Sequence, residues 1–226
     1  MTDTTLPRPS PSPFIAGDLL SPDGPPLLWF PDYMESGVAD ALLATCADSL
    51  AWEARHVNFG GRRVAVPRLV AWYGEEAYRY GGFTHAPAPF PGFLHTLLDQ
   101  LSALARFHLG EVPRFNSVLV NYYRHGQDSM SFHSDNETQL GPEPVIASLS
   151  LGAARTFQFR RRAARLRMAG RLTHGSLLIM HGRCQSEWEH AIPKEACDGP
   201  RINLTFRHTA PLGAGPLRLT GAGTSR

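Results

Sequence analysis

Arg201-Ile202-Asn203-Leu204-Thr205-Phe206-Arg207 alternates polar and apolar residues without a break. In a strand, successive side chains point to opposite faces, so Arg201, Asn203, Thr205 and Arg207 share one face and Ile202, Leu204 and Phe206 the other. The apolar face must belong to a core. The polar face carries two guanidiniums, and an unpaired buried charge is very costly. That face therefore either lies on a solvent-exposed edge or meets anions. A dicarboxylate such as 2-oxoglutarate would supply two carboxylates, which guanidinium forks match bidentately. The segment from Phe115 to Tyr123 is built alike: Val118, Val120 and Tyr122 share one face, Asn121 and Tyr123 the other. An amide and a phenol could complete the same carboxylate pocket.

Outward from that strand the chain reads mostly as β. Arg62 to Trp72, Val145 to Leu151, Thr156 to Arg160 and Ser176 to Met180 are rich in strand-forming residues. Turn signals punctuate them at Gly126, Gly141-Pro142, Gly152, Gly170, Gly175, Gly182 and Gly199-Pro200. Helical spacing occurs over Met34 to Leu50 (Val38, Leu42, Leu43, Leu50) and Phe93 to Leu109 (Leu94, Leu97, Leu98, Leu101, Leu104). No internal repeat is visible. Helices followed by many short strands predict an α+β protein, with the helices packed against a β-sandwich.

A chain of 226 residues suits one substantial domain. Residues 1–26, rich in Pro, Ser and Thr, are expected to form a flexible arm, 27–212 the domain, and 213–226 a loose tail. Hydrophobic content of 42% with 19% charged residues is ordinary for a soluble protein, and a net charge of +2 announces no bulk affinity for nucleic acid. Any basic footprint must be local. Cys46, Cys184 and Cys197 make neither a CxxC pair nor an even framework, which suits a reducing compartment. No apolar run is long enough to span a membrane, and the opening MTDTTLPRPSPSP lacks the order of a secretory signal. A cytoplasmic monomer without membrane contact is expected.

Among ten histidines, His133 stands apart because of its company in Ser131-Phe132-His133-Ser134-Asp135. Residues two apart in extended chain point the same way, so His133 and Asp135 can reach one ion. His190, in Trp188-Glu189-His190-Ala191-Ile192-Pro193, is the best third ligand, with His125, His174 and His181 as competitors. Two imidazoles and one carboxylate leave half of an octahedral iron open for a bidentate cosubstrate and O₂.

Several segments, in order, resemble the AlkB family of nucleic-acid dioxygenases: Asn121-Tyr122-Tyr123, His133-Ser134-Asp135-Asn136-Glu137, Ile146 to Gly152, His174 to Leu177, Trp188 to Pro193 and Arg201 to Arg207. The likeness spans roughly residues 50 to 208 and is nearest the branch with the animal DNA-repair homologues. It implies a double-stranded β-helix (jelly-roll) core with the N-terminal helices packed on one sheet. It also implies Fe(II) held by His133, Asp135 and His190, with 2-oxoglutarate and O₂ as cosubstrates. Arg201 and Tyr123 would take the distal carboxylate of 2-oxoglutarate, Arg207 and Asn121 its keto-acid end, and Asn203 and Thr205 would line the pocket. The implied reaction is oxidative demethylation of bases such as 1-methyladenine and 3-methylcytosine in alkylated DNA or RNA.

A base in a duplex must be flipped out before such chemistry. By the same resemblance, residues 52–90 form a nucleotide-recognition region. Phe59, flanked by Gly60 and Gly61, would wedge into the vacated stack, unless it is a minor core residue at a hairpin turn. Arg62, Arg63 and Arg68 follow it and could hold the backbone. Tyr78 and Tyr80, two apart, could face the base, and Glu137 could bond an exocyclic amine. Asn136 departs from the acidic residue of the nearest relatives, which unsettles base preference. The run Arg160 to Arg167 could neutralise phosphates or simply be a solvated hairpin end. Two other functions share parts of this signature: a jelly-roll oxygenase acting on RNA, protein or a small molecule, and a non-catalytic nucleic-acid reader.

Overall fold

The computed structural model describes residues 24–80 and 82–213, so the arm expected over 1–26 and the tail expected over 213–226 lie almost wholly outside the described residues. The chain opens with β1 (Leu27–Phe30) and α1 (Ser36–Ser49), followed by β2 (Glu53–Phe59), β3 (Arg62–Gly74), β4 (Tyr78–Tyr80) and β5 (Phe83–His85). Next come α2 (Gly92–Leu109), β6 (Ser117–Tyr123), β7 (Met130–His133) and a 3-10 turn at Thr138–Leu140. The second half holds β8 (Ile146–Gly152), β9 (Arg155–Arg161), β10 (Arg167–Leu172), β11 (Leu177–Met180), the one-turn helix α3 (Cys184–Glu187), β12 (Trp188–Ile192) and β13 (Arg201–Arg207).

Seven strands form one sheet in the order β1-β11-β8-β13-β6-β3-β2, and four form a second in the order β10-β9-β12-β7. Neighbours in sequence are rarely neighbours in the sheets, as a jelly roll requires. The polar–apolar alternation of β13 decides the layering. Ile202, Leu204 and Phe206 join Val118 and Val120 in a core closed by Leu94, Leu97, Leu98 and Leu101 of α2 and by Ala39 and Cys46 of α1. The opposite face of the large sheet packs on the small one through Tyr123, Ile146, Leu178, Phe157, Phe159 and Trp188. Because both faces are covered, all seven residues of β13 are buried, and its polar side cannot be the solvent edge that the pattern alone left open.

The helix α2 buries every leucine its spacing predicted. In α1 the stripe is offset: Ala39 and Cys46 are buried while Val38 is 53% exposed. At 100° per residue, Val38 falls at the margin of a stripe centred one position further on. Between β2 and β3, Gly60 and Gly61 have φ of +57° and +76°, and Phe59 pairs with Arg62. A two-residue turn with both φ positive is the hairpin that strand twist favours, which is why two glycines stand there.

Candidate active site

The small sheet carries the two candidate metal-ligating histidines, His133 and His190. β12 and β7 run antiparallel with His190 directly opposite His133. This register brings their rings to 4.3 Å between centroids. β7 ends at His133, so the shared direction of His133 and Asp135 does not come from a continuous strand. Asp135 is instead pinned from two sides: its backbone N–H donates to Gln185 Oε1 at 2.9 Å, and Arg207 Nη2 donates to its Oδ2 at 2.6 Å. The ligand atoms of His133, Asp135 and His190 all lie within 4.8 Å of one another. Among the described residues that grouping includes none of His125, His174 and His181; Gly152 N–H donates to His174 Nδ1 at 2.8 Å, and His125 is exposed.

The electrostatics suit a cation. Burial alone would raise the Asp135 carboxyl, but Arg207, His133 and His190 outweigh it and hold the group well below the usual carboxylate range. Burial pushes His190 down to about 3, with His133 adding to the effect, and burial also lowers His133. Neutral imidazoles are the form that binds metal. His133 Nδ1 lies 2.9 Å from the Ser131 carbonyl oxygen, to which it donates as Nδ1–H, leaving Nε2 with a free lone pair beside Asp135 Oδ1 at 3.7 Å. Fixing a tautomer through the other ring nitrogen is the usual support of a metal-bound histidine.

The orphaned atoms test the fit. Among the described residues, the buried side-chain atoms without a hydrogen-bond partner include Asp135 Oδ1, Arg201 Nε and Nη1, and Arg207 Nη1. Asp135 thus offers one oxygen to Arg207 and keeps the other for an ion. Arg201 is 1% exposed, donates from Nη2 to Ser150 Oγ at 3.0 Å, and leaves two donors with no protein partner. Burial lowers its pKa to about 10, still charged at neutral pH. A buried, charged fork with free donors matches a carboxylate. The residues present fit both iron(II) and 2-oxoglutarate.

Register explains why the pocket assembles. β13 pairs with β6 so that Arg201 faces Tyr123, Asn203 faces Asn121 and Thr205 faces Leu119. Asn121, Tyr123, Asn203, Thr205 and Arg207 line one inner pocket with His133, Asp135 and His190. The Arg201 guanidinium sits 5.3 Å from the Tyr123 ring centroid. Arg68 belongs to this neighbourhood too: it is 8% exposed and donates from Nε to Asn121 Oδ1 at 2.7 Å. Asn203 is tied to Ser148 Oγ at 2.8 Å and accepts from Thr205 Oγ1 at 3.1 Å. It shapes the wall rather than offering a free amide.

An outer groove of about 370 Å³ adjoins the inner pocket and shares Tyr80, Met130 and His133 with it. Its other walls include Val57, Val64, Pro67, Phe83 and Phe132, mostly apolar, with Arg55 and Arg68. Tyr78 and Tyr80 are stacked at 6.0 Å, but only Tyr80 reaches the groove. Tyr78 is fully buried, stacks on Trp72 at 4.8 Å and donates to Glu137 Oε2 at 3.0 Å. Burial and the nearby Asp135 raise the Glu137 pKa. Asn136 is exposed, and the Phe59 side chain lies outside the described part of the structure.

A model of the 2OG-Fe(II) oxygenase superfamily matches residues 26–207, and the chain is 38% identical over 194 residues to the alpha-ketoglutarate-dependent dioxygenase alkB homolog 3 of Mus musculus. The chain belongs to the AlkB family of 2OG-Fe(II) oxygenases. That match covers 80% of this chain and 65% of the mouse protein, so the chain spans less than two thirds of that relative's length. It is also 37% identical over 162 residues to the DNA oxidative demethylase ALKBH2 of Homo sapiens, covering 67% of this chain and 60% of the relative. The solved structure of OsALKBH1 superposes with a TM-score of 0.56 at 14% identity, over 81% of this chain and 97% of that one, a likeness of fold alone.

Within this AlkB framework Arg155 has a place that its local sequence does not announce. It is fully buried, its guanidinium lies 5.6 Å from the Tyr123 ring centroid, and it donates to the carbonyls of Asp128 and Pro193 at 2.9 and 2.6 Å. Tyr123 therefore contacts two arginines, Arg155 and Arg201. Strand alternation places Arg155 inward with Phe157 and Phe159, but local sequence offers no signal for its partners at Asp128 and Glu195. Gln185 was missed for the same reason, since its contact with Asp135 crosses 50 residues.

Proposed function

We propose that this chain oxidatively demethylates alkylated bases in nucleic acid, with iron(II), 2-oxoglutarate and O₂. The observation that carries the reading is the His133, Asp135 and His190 cluster in one buried pocket with Arg207, the unpartnered donors of Arg201 buried on the same side of β13 behind Tyr123, and Tyr80 shared between that pocket and an apolar groove. The names of its relatives, a dioxygenase homologue and a DNA oxidative demethylase, support the substrate class. Iron(II) with 2-oxoglutarate supplies oxygen activation coupled to decarboxylation, which hydroxylates the alkyl carbon and releases formaldehyde from a methyl group. The protein's residues do the rest. His133, Asp135 and His190 hold the ion; Arg201 and Tyr123 take the distal carboxylate; Arg207, buttressing Asp135, serves the keto-acid end together with Asn121. Met130, Phe132 and Phe83 line the groove and keep water from the reacting carbon, whereas Glu137 lines neither cavity and holds the Tyr78 hydroxyl.

Mass spectrometry of oligonucleotides bearing 1-methyladenine or 3-methylcytosine, incubated with iron(II), 2-oxoglutarate and ascorbate, tests this reading. Loss of 14 Da per lesion, roughly one methylene equivalent in that mechanism, is the expected result. Turnover of 2-oxoglutarate with every methyl group left in place would point to a protein or small-molecule substrate instead.

Among nucleic acids, we propose DNA, with RNA as the alternative, and a monomeric enzyme acting in the cytoplasm; no described helix is long and apolar enough to cross a membrane. Exposed Arg62 and Arg63 follow the turn of the β2–β3 hairpin, while Arg162, Arg165 and Arg167 are exposed at the β9–β10 end. Arg160 and Arg161 are partly neutralised by Glu189 at 2.6 Å and Glu187 at 3.1 Å. We propose that the hairpin tip enters the stack and that Phe59 is its wedge. Unstacking costs about a few kcal/mol, and a wedge offsets part of that only where a stack exists. Phe59→Ala is thus expected to slow repair of a lesion in duplex DNA far more than in a single strand. Equal losses on both would assign Phe59 to folding.

A further inference from the structure

β4 and β5 form a two-stranded sheet of their own, hydrogen-bonded to neither larger sheet. A lone pair of strands is marginal by itself, so something else must set where Tyr80 stands over the pocket. Gln139, in the 3-10 turn beyond the metal-ligating segment, is 8% exposed and provides the tie. Its Oε1 accepts the Arg79 backbone N–H at 3.1 Å, and its Nε2 donates to the Ala77 carbonyl at 2.7 Å and the Ala210 carbonyl at 2.9 Å. Its own carbonyl accepts the Ala210 N–H at 2.8 Å. The amide therefore grips the backbone on both sides of Tyr78. Reversing it would turn Oε1 toward two carbonyls, so only one orientation is permitted.

The same turn holds Tyr78 by its other end, because Glu137 accepts the Tyr78 hydroxyl at 3.0 Å. Tyr78 is stacked between Trp72, at 4.8 Å and 16°, and Tyr80, at 6.0 Å and 9°. Tyr80 in turn lines both the inner pocket and the outer groove. A rigid path thus runs from the Gln139 amide through the Tyr78 backbone to the ring that meets the substrate. Gln139 itself is absent from both cavity walls.

We propose that Gln139 is a positioning residue that sets Tyr80 over the metal pocket and thereby determines how well the alkylated substrate is seated, without taking part in iron or 2-oxoglutarate binding. The identity of that substrate rests on the function proposed above. The Gln139→Leu variant removes all three side-chain bonds at similar volume. Gln139→Glu keeps the acceptor for Arg79 but sets a carboxylate against two carbonyls.

In the full chain, both variants should raise the KM for a methylated oligonucleotide by about tenfold, the effect of one to two net hydrogen bonds, with kcat, the KM for 2-oxoglutarate and anaerobic iron(II) affinity unchanged. Amide hydrogen exchange without any cofactor should quicken across Tyr78–His85 and stay the same in β12 and β13. A lower Tm with unchanged oligonucleotide KM and unchanged exchange in β4 and β5 would make Gln139 merely structural and overturn the proposal. A parallel rise in the KM for 2-oxoglutarate would overturn it as well. Should Gln139→Leu not fold, Gln139→Met serves the same comparison. A wild-type chain inactive on every methylated oligonucleotide would sink the substrate reading, while exchange in β4 and β5 would still decide whether Gln139 holds Tyr80 in place.

Discussion

His190→Ala is expected to abolish turnover and to weaken iron(II) binding by more than the roughly 10–100-fold typical of losing a residue that merely supports a ligand. His190 is 5% exposed and faces His133 across the β12–β7 register. Asp135→Ala is expected to do the same and also to destabilise the fold. It would leave Arg207, 3% exposed, as a buried cation without its carboxylate, a loss on the order of 3–5 kcal/mol. His181→Ala and His174→Ala should keep both iron affinity and turnover. Anaerobic metal titration followed by single-turnover assays checks all four variants. Near-normal demethylation by His190→Ala, with loss in His181→Ala or His174→Ala, would mean that the third ligand is wrongly assigned.

Arg201→Ala is expected to raise the apparent KM for 2-oxoglutarate while leaving iron binding intact. Removing the charged partner of a buried carboxylate costs on the order of 2–5 kcal/mol, so the rise should be about 30-fold or more. The two free donors of Arg201 are the reason, since they have no protein partner to lose among the described residues. Arg207→Ala should behave differently. Arg207 donates to Asp135 Oδ2 from Nη2 at 2.6 Å and from Nε at 3.3 Å, so its removal should impair iron(II) and 2-oxoglutarate binding together. The contrast separates a residue that binds only cosubstrate from one that also braces the metal carboxylate. An unchanged 2-oxoglutarate dependence in folded Arg201→Ala would remove Arg201 from the clamp.

Much of the site was legible because it rests on short periodicities. Alternation in β13 and β6 told which residues share a face, and the structure keeps Arg201, Asn203, Thr205 and Arg207 together opposite the Ile202, Leu204 and Phe206 core. The His-x-Asp spacing and the later His190 marked the cluster that the structure assembles. Other features needed contacts that no local pattern announces. Tyr78 and Tyr80 have the same spacing as a pair facing substrate, yet Tyr78 is fully buried under Trp72 and only Tyr80 meets the groove. Arg68 reads as a phosphate contact in the sequence but turns inward onto Asn121, 53 residues away.

The sequence by itself determined which side chains can share a face and which chemistry they carry, because strand and helix geometry repeat every two or 3.6 residues whatever the fold around them. Only the tertiary structure decided which faces are covered. The polar side of β13 is buried rather than a solvent edge because the small sheet closes over it. Likewise β4 has no larger sheet to join and depends on Gln139 for its place. Burial and long-range hydrogen bonds depend on how distant segments pack, and that packing buries both arginines of β13 with donors left unpartnered.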